Sequence, residues 1–128
     1  MRVKIYYHHT DCGGVVYYAN YLNFLEEART EFLEEKGIFI KELMKQDTLF
    51  VVFRQEIDYK LPAFYGDILN VNTRIVDVSK IKIEFEYEIR NQYDKINCLA
   101  KTVMACVNSN LKPKSIPREV REKMVLKE

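Results

Sequence analysis

Residues 8–29 have the sequence HHTDCGGVVYYANYLNFLEEAR, which joins a predicted strand to a predicted helix through a glycine turn. Asp11 lies just before Gly13 and Gly14. A helix starts with N–H groups that have no intrahelical acceptor and with the positive end of its dipole, so negative charge is stabilised there. Two interpretations of Asp11 therefore stand side by side: a catalytic carboxylate, or an aspartate that only shapes a turn before glycine.

The composition bounds the domain organisation and excludes some functions. A chain of 128 residues with 48% hydrophobic residues is expected to form one domain with one core. The formal charge of +1 comes from nearly balanced acids and bases, which argues against a nucleic-acid-binding face. Because no segment approaches the ~18 apolar residues of a membrane span and the N-terminus lacks a signal-peptide core, we expect a cytoplasmic protein without a transmembrane segment.

The first third of the chain changes its hydrophobic period from strand-like to helical. Residues 3–8 alternate loosely and predict a first strand. From about Tyr18, apolar residues recur at helical spacing, and Gly37 is a plausible C-cap, so we predict one long amphipathic helix of about five turns. A short amphipathic piece is expected at residues 40–45.

The remainder is rich in β-branched and aromatic residues with period two. Proline at position 62 ends the first of these strands because it cannot donate to a ladder. Residues 108–128 contain two prolines and alternating charges, and predict a surface tail that ends in a short or frayed helix. The predicted strands cover residues 50–59, 68–77, 81–90 and 96–107, with a hairpin at 92–95.

This order of elements predicts an α+β domain. Consecutive strands usually pair as hairpins, so we expect an antiparallel sheet with one helix across it. An open sheet leaves edge strands, which are commonly covered by another copy of the chain. A dimer at least is therefore expected.

The segment YYHHTDCGGVVYYANYLNFLEEART, residues 6–30, resembles the N-terminal motif of hotdog-fold acyl-CoA thioesterases, in particular the YbgC-like and 4-hydroxybenzoyl-CoA thioesterase group. The resemblance implies one hotdog domain over residues 1–128, with a five-stranded antiparallel sheet wrapped around a long central helix, and a homo-oligomer that is a dimer or a tetramer of two dimers. The matching positions are Asp11, Gly14, Val15, Val16, Tyr17, Asn20, Tyr21, Glu27, Ala28 and Arg29.

The resemblance also implies an activity, the hydrolysis of acyl-CoA to free acid and CoA without a metal or an organic cofactor. Asp11 would act as nucleophile or as general base for water, and the backbone N–H of Tyr18 would hold the oxyanion. Many YbgC-like members have His where this chain has Tyr18, but the change leaves the backbone N–H in place. The substrate-binding residues implied are Gly14, Val16, Tyr17, Asn20 and Tyr21.

Other residues are weaker candidates. Adjacent strand residues point to opposite faces, so His8 and His9 are not expected to grip one metal ion. Glu26 and Glu27 form a second carboxylate pair, although a solvated helix face with a Glu26–Arg29 ion pair explains them more simply. Cys12 has no evident base. Possible contacts for the CoA phosphates, unranked, are Lys60, Arg74, Lys80, Lys82 and Arg90.

The three cysteines are odd in number and lack a C-x-x-C pair, so we expect neither a disulfide framework nor a zinc ribbon. The alternative to an enzyme is a hotdog domain that binds acyl thioesters or scaffolds partners without turnover. A dehydratase is disfavoured because no His follows His9.

Overall fold

The computed structural model describes residues 1–125, so the end of the predicted tail, residues 126–128, lies outside the described residues. Within that range, five strands and three α-helices follow one another. Their bounds are β1 Arg2–Lys4, α1 Asn20–Glu35, α2 Ile40–Met44, β2 Leu49–Tyr59, β3 Ile68–Val78, β4 Lys82–Arg90, β5 Ile96–Val107 and α3 Arg118–Val125.

The strands form one sheet in the order β1-β3-β4-β5-β2, and every pairing is antiparallel. This confirms the predicted five-stranded antiparallel sheet with a helix across it. One detail of the hairpin prediction is wrong: β2 does not pair with β3 but crosses to the far edge, beside β5. The chain makes this crossing through residues 60–67, which include Pro62 and therefore cannot continue the β2 ladder.

The core lies between the inner face of the sheet and one face of α1. That face of α1 buries Tyr21, Phe24, Leu25 and Ala28, which recur at helical spacing. The strict alternation in β4 places its odd-numbered residues in the core and its Glu residues on the outer face, as predicted. Each large apolar side chain buried in this way contributes about 1.5–3 kcal/mol to folding.

The start of the chain differs from the prediction. The strand ends at Lys4 instead of His8, and residues Tyr7–His9 form a 3-10 turn. The turn is held by the Tyr6 N–H, which donates to Nδ1 of His9 at 2.9 Å, and by the Thr10 hydroxyl, which donates to the Tyr7 carbonyl at 2.6 Å. His8 and His9 therefore do not point to opposite faces of a strand, and their ring centroids are 4.1 Å apart.

Residues 108–125 are less superficial than the predicted tail. The expected terminal helix is present as α3, but its Val120 and Met124 are buried in the core together with Ile116. The ammonium of Lys123 donates to the Gly37 carbonyl at 3.2 Å, just after the end of α1. The amphipathic pattern of α3 thus packs it against the body of the domain.

Candidate active site

Asp11 lies in a tight hairpin that ends at Val16, where Thr10 and Val16 form an isolated bridge. The Asp11 N–H donates to the Val15 carbonyl at 2.9 Å, and the Gly14 N–H donates to the Asp11 carbonyl at 3.0 Å. Gly14 has a φ of +81°, a conformation that L-residues with a side chain rarely adopt. Glycine at this position lets the chain reverse directly before α1.

The Asp11 side chain is part of the same turn. Its Oδ1 accepts a hydrogen bond from the Gly13 N–H at 2.8 Å, which is the local arrangement expected of an aspartate before glycine. The residue is exposed. In the isolated chain, Asp11 lines none of the three main cavities of the described residues. The turn therefore orients the carboxylate, while a single copy of the chain does not enclose it.

Tyr17 and Tyr18 lie between this hairpin and α1, with ring centroids 4.9 Å apart. A hydrogen bond with Tyr18 raises the pKa of Tyr17, and the negative charge of Asp11 contributes to the same shift. The Asp11 carboxylate is thus within electrostatic reach of the Tyr17 hydroxyl. Both tyrosines are exposed, as a surface that contacts a ligand or another protein copy would be.

The helix starts later than predicted, at Asn20, with Ala19 as N-cap. The Asn20 N–H donates to the Tyr17 carbonyl and the Tyr21 N–H to the Tyr18 carbonyl, at 2.8 and 3.3 Å, so the turn before α1 is already helix-like. Across residues 1–125, the Tyr18 N–H has no hydrogen-bond acceptor. This N–H is an unsatisfied donor beside the positive end of the helix dipole.

Asn20 ties this start to the 3-10 turn. Its side-chain Nδ2 donates to the His9 carbonyl at 2.8 Å, and the Tyr17 N–H donates to the same carbonyl at 2.9 Å. The predicted substrate-binding residue Asn20 is therefore engaged with the protein. Val16 and Tyr21, from the same predicted set, have buried side chains. Gly14 and Tyr17 lie on the surface.

Sequence reasoning missed two residues that border the candidate site, Tyr59 at the end of β2 and Asn97 in β5. The Tyr59 hydroxyl donates to the Tyr18 carbonyl at 3.3 Å, and the Tyr59 ring centroid is 5.5 Å from that of Tyr21. Burial raises the pKa of Tyr21 and raises that of the Cys98 thiol to about 12. Cys98 therefore stays a protonated thiol and does not offer a nucleophilic thiolate. An aromatic residue at the very end of a strand was the available signal for Tyr59.

Asn97 was also missed, and it supports the crossover that packs against the hairpin. It is completely buried, and its Nδ2 donates to the carbonyls of Leu61 and Pro62, each at 3.3 Å. The Val16 N–H in turn donates to the Ala63 carbonyl at 2.8 Å. Asn97 thus connects β5 to the segment against which the Asp11 hairpin lies. A lone amide in an apolar strand was the signal for it.

Glu26, one of the other two carboxylate candidates, has a different partner from the one predicted. In the described part of the chain, Glu26 and Arg29 form no ion pair. Glu26 Oε2 accepts from the Thr30 hydroxyl at 2.9 Å, and Arg29 Nη1 lies 3.5 Å from the Tyr87 hydroxyl. Residues 1–125 contain no group of three or more His, Cys, Asp or Glu side chains placed to hold a metal ion.

The basic candidates are mainly engaged on the outer face of the sheet. Arg74 pairs with Glu86, and Arg90 pairs with Glu88 at 2.6 Å. The ammonium of Lys82 lies 3.7 Å from the centroid of the Phe53 ring. The described helices also include none that is long and apolar enough to cross a membrane.

Comparisons with known proteins identify the family. A family profile described as the thioesterase-like superfamily matches residues 6–124. Two relatives are the acyl-CoA thioesterase YbgC of Haemophilus influenzae, 38% identical over 93% of this chain and 88% of the relative, and the acyl-CoA thioester hydrolase YbgC of Escherichia coli O6:H1, 34% identical over 92% and 89%.

Solved structures agree with this assignment. A hypothetical protein from Aquifex aeolicus superposes with a TM-score of 0.91, at 31% identity and 97% coverage of both chains. The relatives, the family profile and the five-stranded sheet around α1 together confirm the resemblance to hotdog-fold thioesterases that residues 6–30 predicted. The chain therefore belongs to the thioesterase-like superfamily, as a thioester hydrolase with the hotdog fold.

Proposed function

We propose that the protein hydrolyses acyl-CoA at the start of α1, with Asp11 as the catalytic carboxylate and the Tyr18 N–H as the oxyanion donor. The observation that carries this proposal is the position of the two groups. An oriented, exposed carboxylate and an unsatisfied backbone donor border the same short segment, on either side of Tyr17. The relatives named as acyl-CoA thioesterases support acyl-CoA as the substrate.

The chemistry follows from these two groups. The thioester carbonyl oxygen accepts the Tyr18 N–H while the carbonyl carbon faces Asp11. Asp11 either attacks this carbon directly, which expels the CoA thiolate and leaves a mixed anhydride that water then hydrolyses to the free acid, or removes a proton from a water that attacks the carbon and expels the thiolate in one addition–elimination. Since a thiolate is a good leaving group, a carboxylate is a sufficient catalyst. One oxyanion donor of this kind is worth about 3–4 kcal/mol of transition-state stabilisation in other enzymes.

The exposure of Asp11 makes a second copy of the chain part of the proposal. The edge strand β2 is 11 residues long and exposes Val51, Val52 and Phe53. A long apolar edge of this type favours pairing with another copy, to form a dimer or a tetramer of two dimers. The partner would supply the wall that encloses Asp11 and excludes water. The buried, unpaired thiols of Cys98 and Cys106 support a reducing location such as the cytoplasm.

The test is a thiol-release assay with a panel of acyl-CoAs, applied to the wild type and to Asp11→Asn. This isosteric change keeps an oxygen that can accept from the Gly13 N–H, so the fold is expected to survive. We expect turnover to fall roughly 100-fold or more because the catalytic charge is lost. Substrate binding should change little.

Two matched controls sharpen this result. Cys12→Ser alters the neighbouring exposed side chain and should leave turnover unchanged. Full activity of Asp11→Asn together with inactivity of Glu26→Gln or Glu27→Gln would move the catalytic carboxylate to α1 and refute the assignment of Asp11.

A second function, acyl-thioester binding or scaffolding without turnover, is favoured by one observation: in the isolated chain, Asp11 is exposed and lines none of the three main cavities of residues 1–125. That function predicts binding of acyl-CoA, for example by calorimetry, with no thiol release from any member of the panel. Turnover that depends on Asp11 excludes it.

A further inference from the structure

The side chain of Asn20 joins the two segments that carry the proposed catalytic groups. Its Nδ2 donates to the His9 carbonyl at 2.8 Å, and the Tyr17 N–H donates to the same oxygen at 2.9 Å. His9 lies two residues before Asp11, and Tyr17 lies one residue before Tyr18. One carbonyl oxygen therefore connects the chain that enters the Asp11 hairpin to the chain that enters α1.

The backbone of Asn20 sets the direction of the proposed oxyanion donor. Its N–H donates to the Tyr17 carbonyl at 2.8 Å. In a trans peptide, the N–H of the following residue points opposite to this carbonyl, so the Tyr18 N–H points away from the first turn of α1. Asn20 thus acts on both sides of Tyr17, because its N–H holds the Tyr17 carbonyl and its side chain holds the acceptor of the Tyr17 N–H.

This connection depends on the amide nitrogen of Asn20. Within the described part of the chain, no other side-chain hydrogen bond joins residues 6–16 to residues 17–25. A carbonyl oxygen can only accept, so the group that pairs with it must be the amide nitrogen and not the amide oxygen. Alanine or aspartate at this position would therefore lose the bond.

A second contact, between two rings, also keeps the 3-10 turn on α1. The ring centroids of His9 and Phe24 lie 5.3 Å apart, with the rings edge to face. This contact acts on the imidazole, whereas the Asn20 amide acts on the main chain that leads to Asp11. Loss of the amide should therefore leave the fold in place and loosen the alignment of Asp11 with the Tyr18 N–H.

The alignment matters because the proposed reaction needs both groups at once. The thioester carbon must face Asp11 while its oxygen accepts the Tyr18 N–H. A misplacement of about 1 Å, caused by a change away from the reacting atoms, can cost roughly 100-fold in rate. A residue that only aligns catalytic groups changes kcat, whereas a residue that binds the substrate changes KM.

We propose that Asn20 is a positioning residue: through the His9 carbonyl, it holds the Tyr18 N–H in line with Asp11. This role replaces the contact with substrate that the sequence motif implies for Asn20. The inference rests on the proposed function for the identity of the two catalytic groups. It adds the residue that fixes their relative position.

The experiment measures kcat and KM by thiol release for the wild type, Asn20→Ala and the control Asn23→Ala, with the acyl-CoA that the wild type hydrolyses best. Asn23 is exposed, lies three residues further along α1, and donates to the Asn20 side-chain oxygen at 3.5 Å. We expect Asn20→Ala to lower kcat at least about tenfold and to change KM less than about twofold. Asn23→Ala should change neither constant more than about twofold, because it leaves the bond from Asn20 to His9 intact.

The outcomes separate this inference from the proposed function. If the wild type releases thiol and Asn20→Ala keeps its kcat, or loses affinity for a non-hydrolysable thioether analogue of the same acyl-CoA, the positioning role is overturned while thioester hydrolysis stands. Absence of thiol release from every acyl-CoA refutes the proposed function, and this inference with it. Circular dichroism and urea denaturation establish that the compared variants are folded, which excludes a general loss of structure as the cause of a lower kcat.

A second pair of variants covers the case in which Asn20→Ala does not fold. Asn20→Asp keeps the size of the side chain, and a carboxylate in the first turn of a helix is stabilising, but it has no N–H to donate. Asn23→Asp adds the same charge at the same end of α1 and keeps the Asn20 amide in place. A kcat at least about tenfold lower for Asn20→Asp than for Asn23→Asp supports the inference, and equal values overturn it.

Discussion

The two ends of α1 are capped differently. At the C-terminal end, the Gly37 N–H donates to the Glu34 carbonyl and the Ile38 N–H to the Leu33 carbonyl, both at 2.9 Å. The ammonium of Lys123 also donates a hydrogen bond to the Gly37 carbonyl. At the N-terminal end, Ala19 supplies no side-chain cap, and the neighbouring Tyr18 N–H has no acceptor in the described chain.

The difference shows which end of the helix is available to a ligand. Both ends carry unsatisfied backbone groups and a partial charge of the helix dipole. The protein neutralises the negative end with its own lysine and glycine turn. It leaves the positive end open, beside a carboxylate oriented by a second glycine turn. This asymmetry is what a site that stabilises a developing oxyanion requires.

The largest expected effect comes from Asn97→Asp, which removes the hydrogen bonds that hold the 60–67 segment beside the N-terminal end of α1. The change deletes the buried Nδ2 that donates to the Leu61 and Pro62 carbonyls. It also places a carboxylate oxygen, a second acceptor, opposite these two carbonyl oxygens. We expect the free energy of unfolding to fall by about 2–3 kcal/mol, because two buried acceptors lose their donor. Thiol-release turnover should fall with it, even under conditions where the variant is folded.

The control for this change is Asn91→Asp. Asn91 accepts hydrogen bonds from the N–H groups of Tyr93 and Lys95 through Oδ1, a role that a carboxylate retains. Its unfolding energy, measured by urea denaturation, should change by less than about 0.5 kcal/mol. Equal losses in both variants would contradict the role given to the Asn97 amide.

The next effect compares the two glycine turns directly, through Gly14→Ala and Gly37→Ala. The residues have φ values of +81° and +78°, so alanine should cost each turn a similar amount, about 1 kcal/mol. Only Gly14→Ala is expected to lower kcat, because only that turn orients Asp11. Denaturant melts and thiol-release kinetics on both variants test this, and a similar kcat for the two would remove the functional distinction between the ends.

The smallest effect concerns the pH dependence of stability at the open end. Burial, and secondarily the charge of His8, lower the pKa of His9 below its ordinary value of 6.5. The unfolded chain therefore binds this proton more readily, so the contribution of His9 to stability is complete above pH 6.5 and declines as the pH falls below it. Protonation of Nδ1 also removes the acceptor of the Tyr6 N–H.

This effect is measured by thermal unfolding between pH 8 and pH 5 for the wild type and His9→Gln. The variant should lose less stability on acidification than the wild type. Parallel profiles would show that His9 does not contribute.

The hydrophobic pattern predicted the elements more reliably than their arrangement. Period-two alternation placed β5 at residues 96–107 with the bounds that the structure has, because both ends are marked by turn residues. The alternation through Val3, Ile5 and Tyr7 was misleading, since a 3-10 turn with His9 as a side-chain acceptor produced the same pattern. The pairing of β2 with β5 was missed because alternation carries no information about which strand lies alongside.

The site was predicted only in part, for a related reason. The motif proposed Asp11 and Tyr18 as catalytic groups, and those roles stay predictions. The resemblance did not indicate that Asn20 bonds the His9 carbonyl or that Val16 is buried. Tyr59 and Asn97 reach the site from distant strands, and only the register of β2 with β5 brings them there, since Tyr59 pairs with Cys98. Contacts between residues far apart in sequence leave no local pattern to detect.

The strand order has a consequence for how the protein is made. Strand β1 can pair only after β3 has been synthesised. Strand β2 can pair only after β5, its partner some 50 residues further along the chain, has been synthesised. While the ribosome is still synthesising the second half, the backbone N–H and C=O groups of β2 have no partner strand and can pair with other nascent chains. Release of the last strand is therefore the step that protects the chain from aggregation, and slow translation between β2 and β5 would lengthen the hazardous interval.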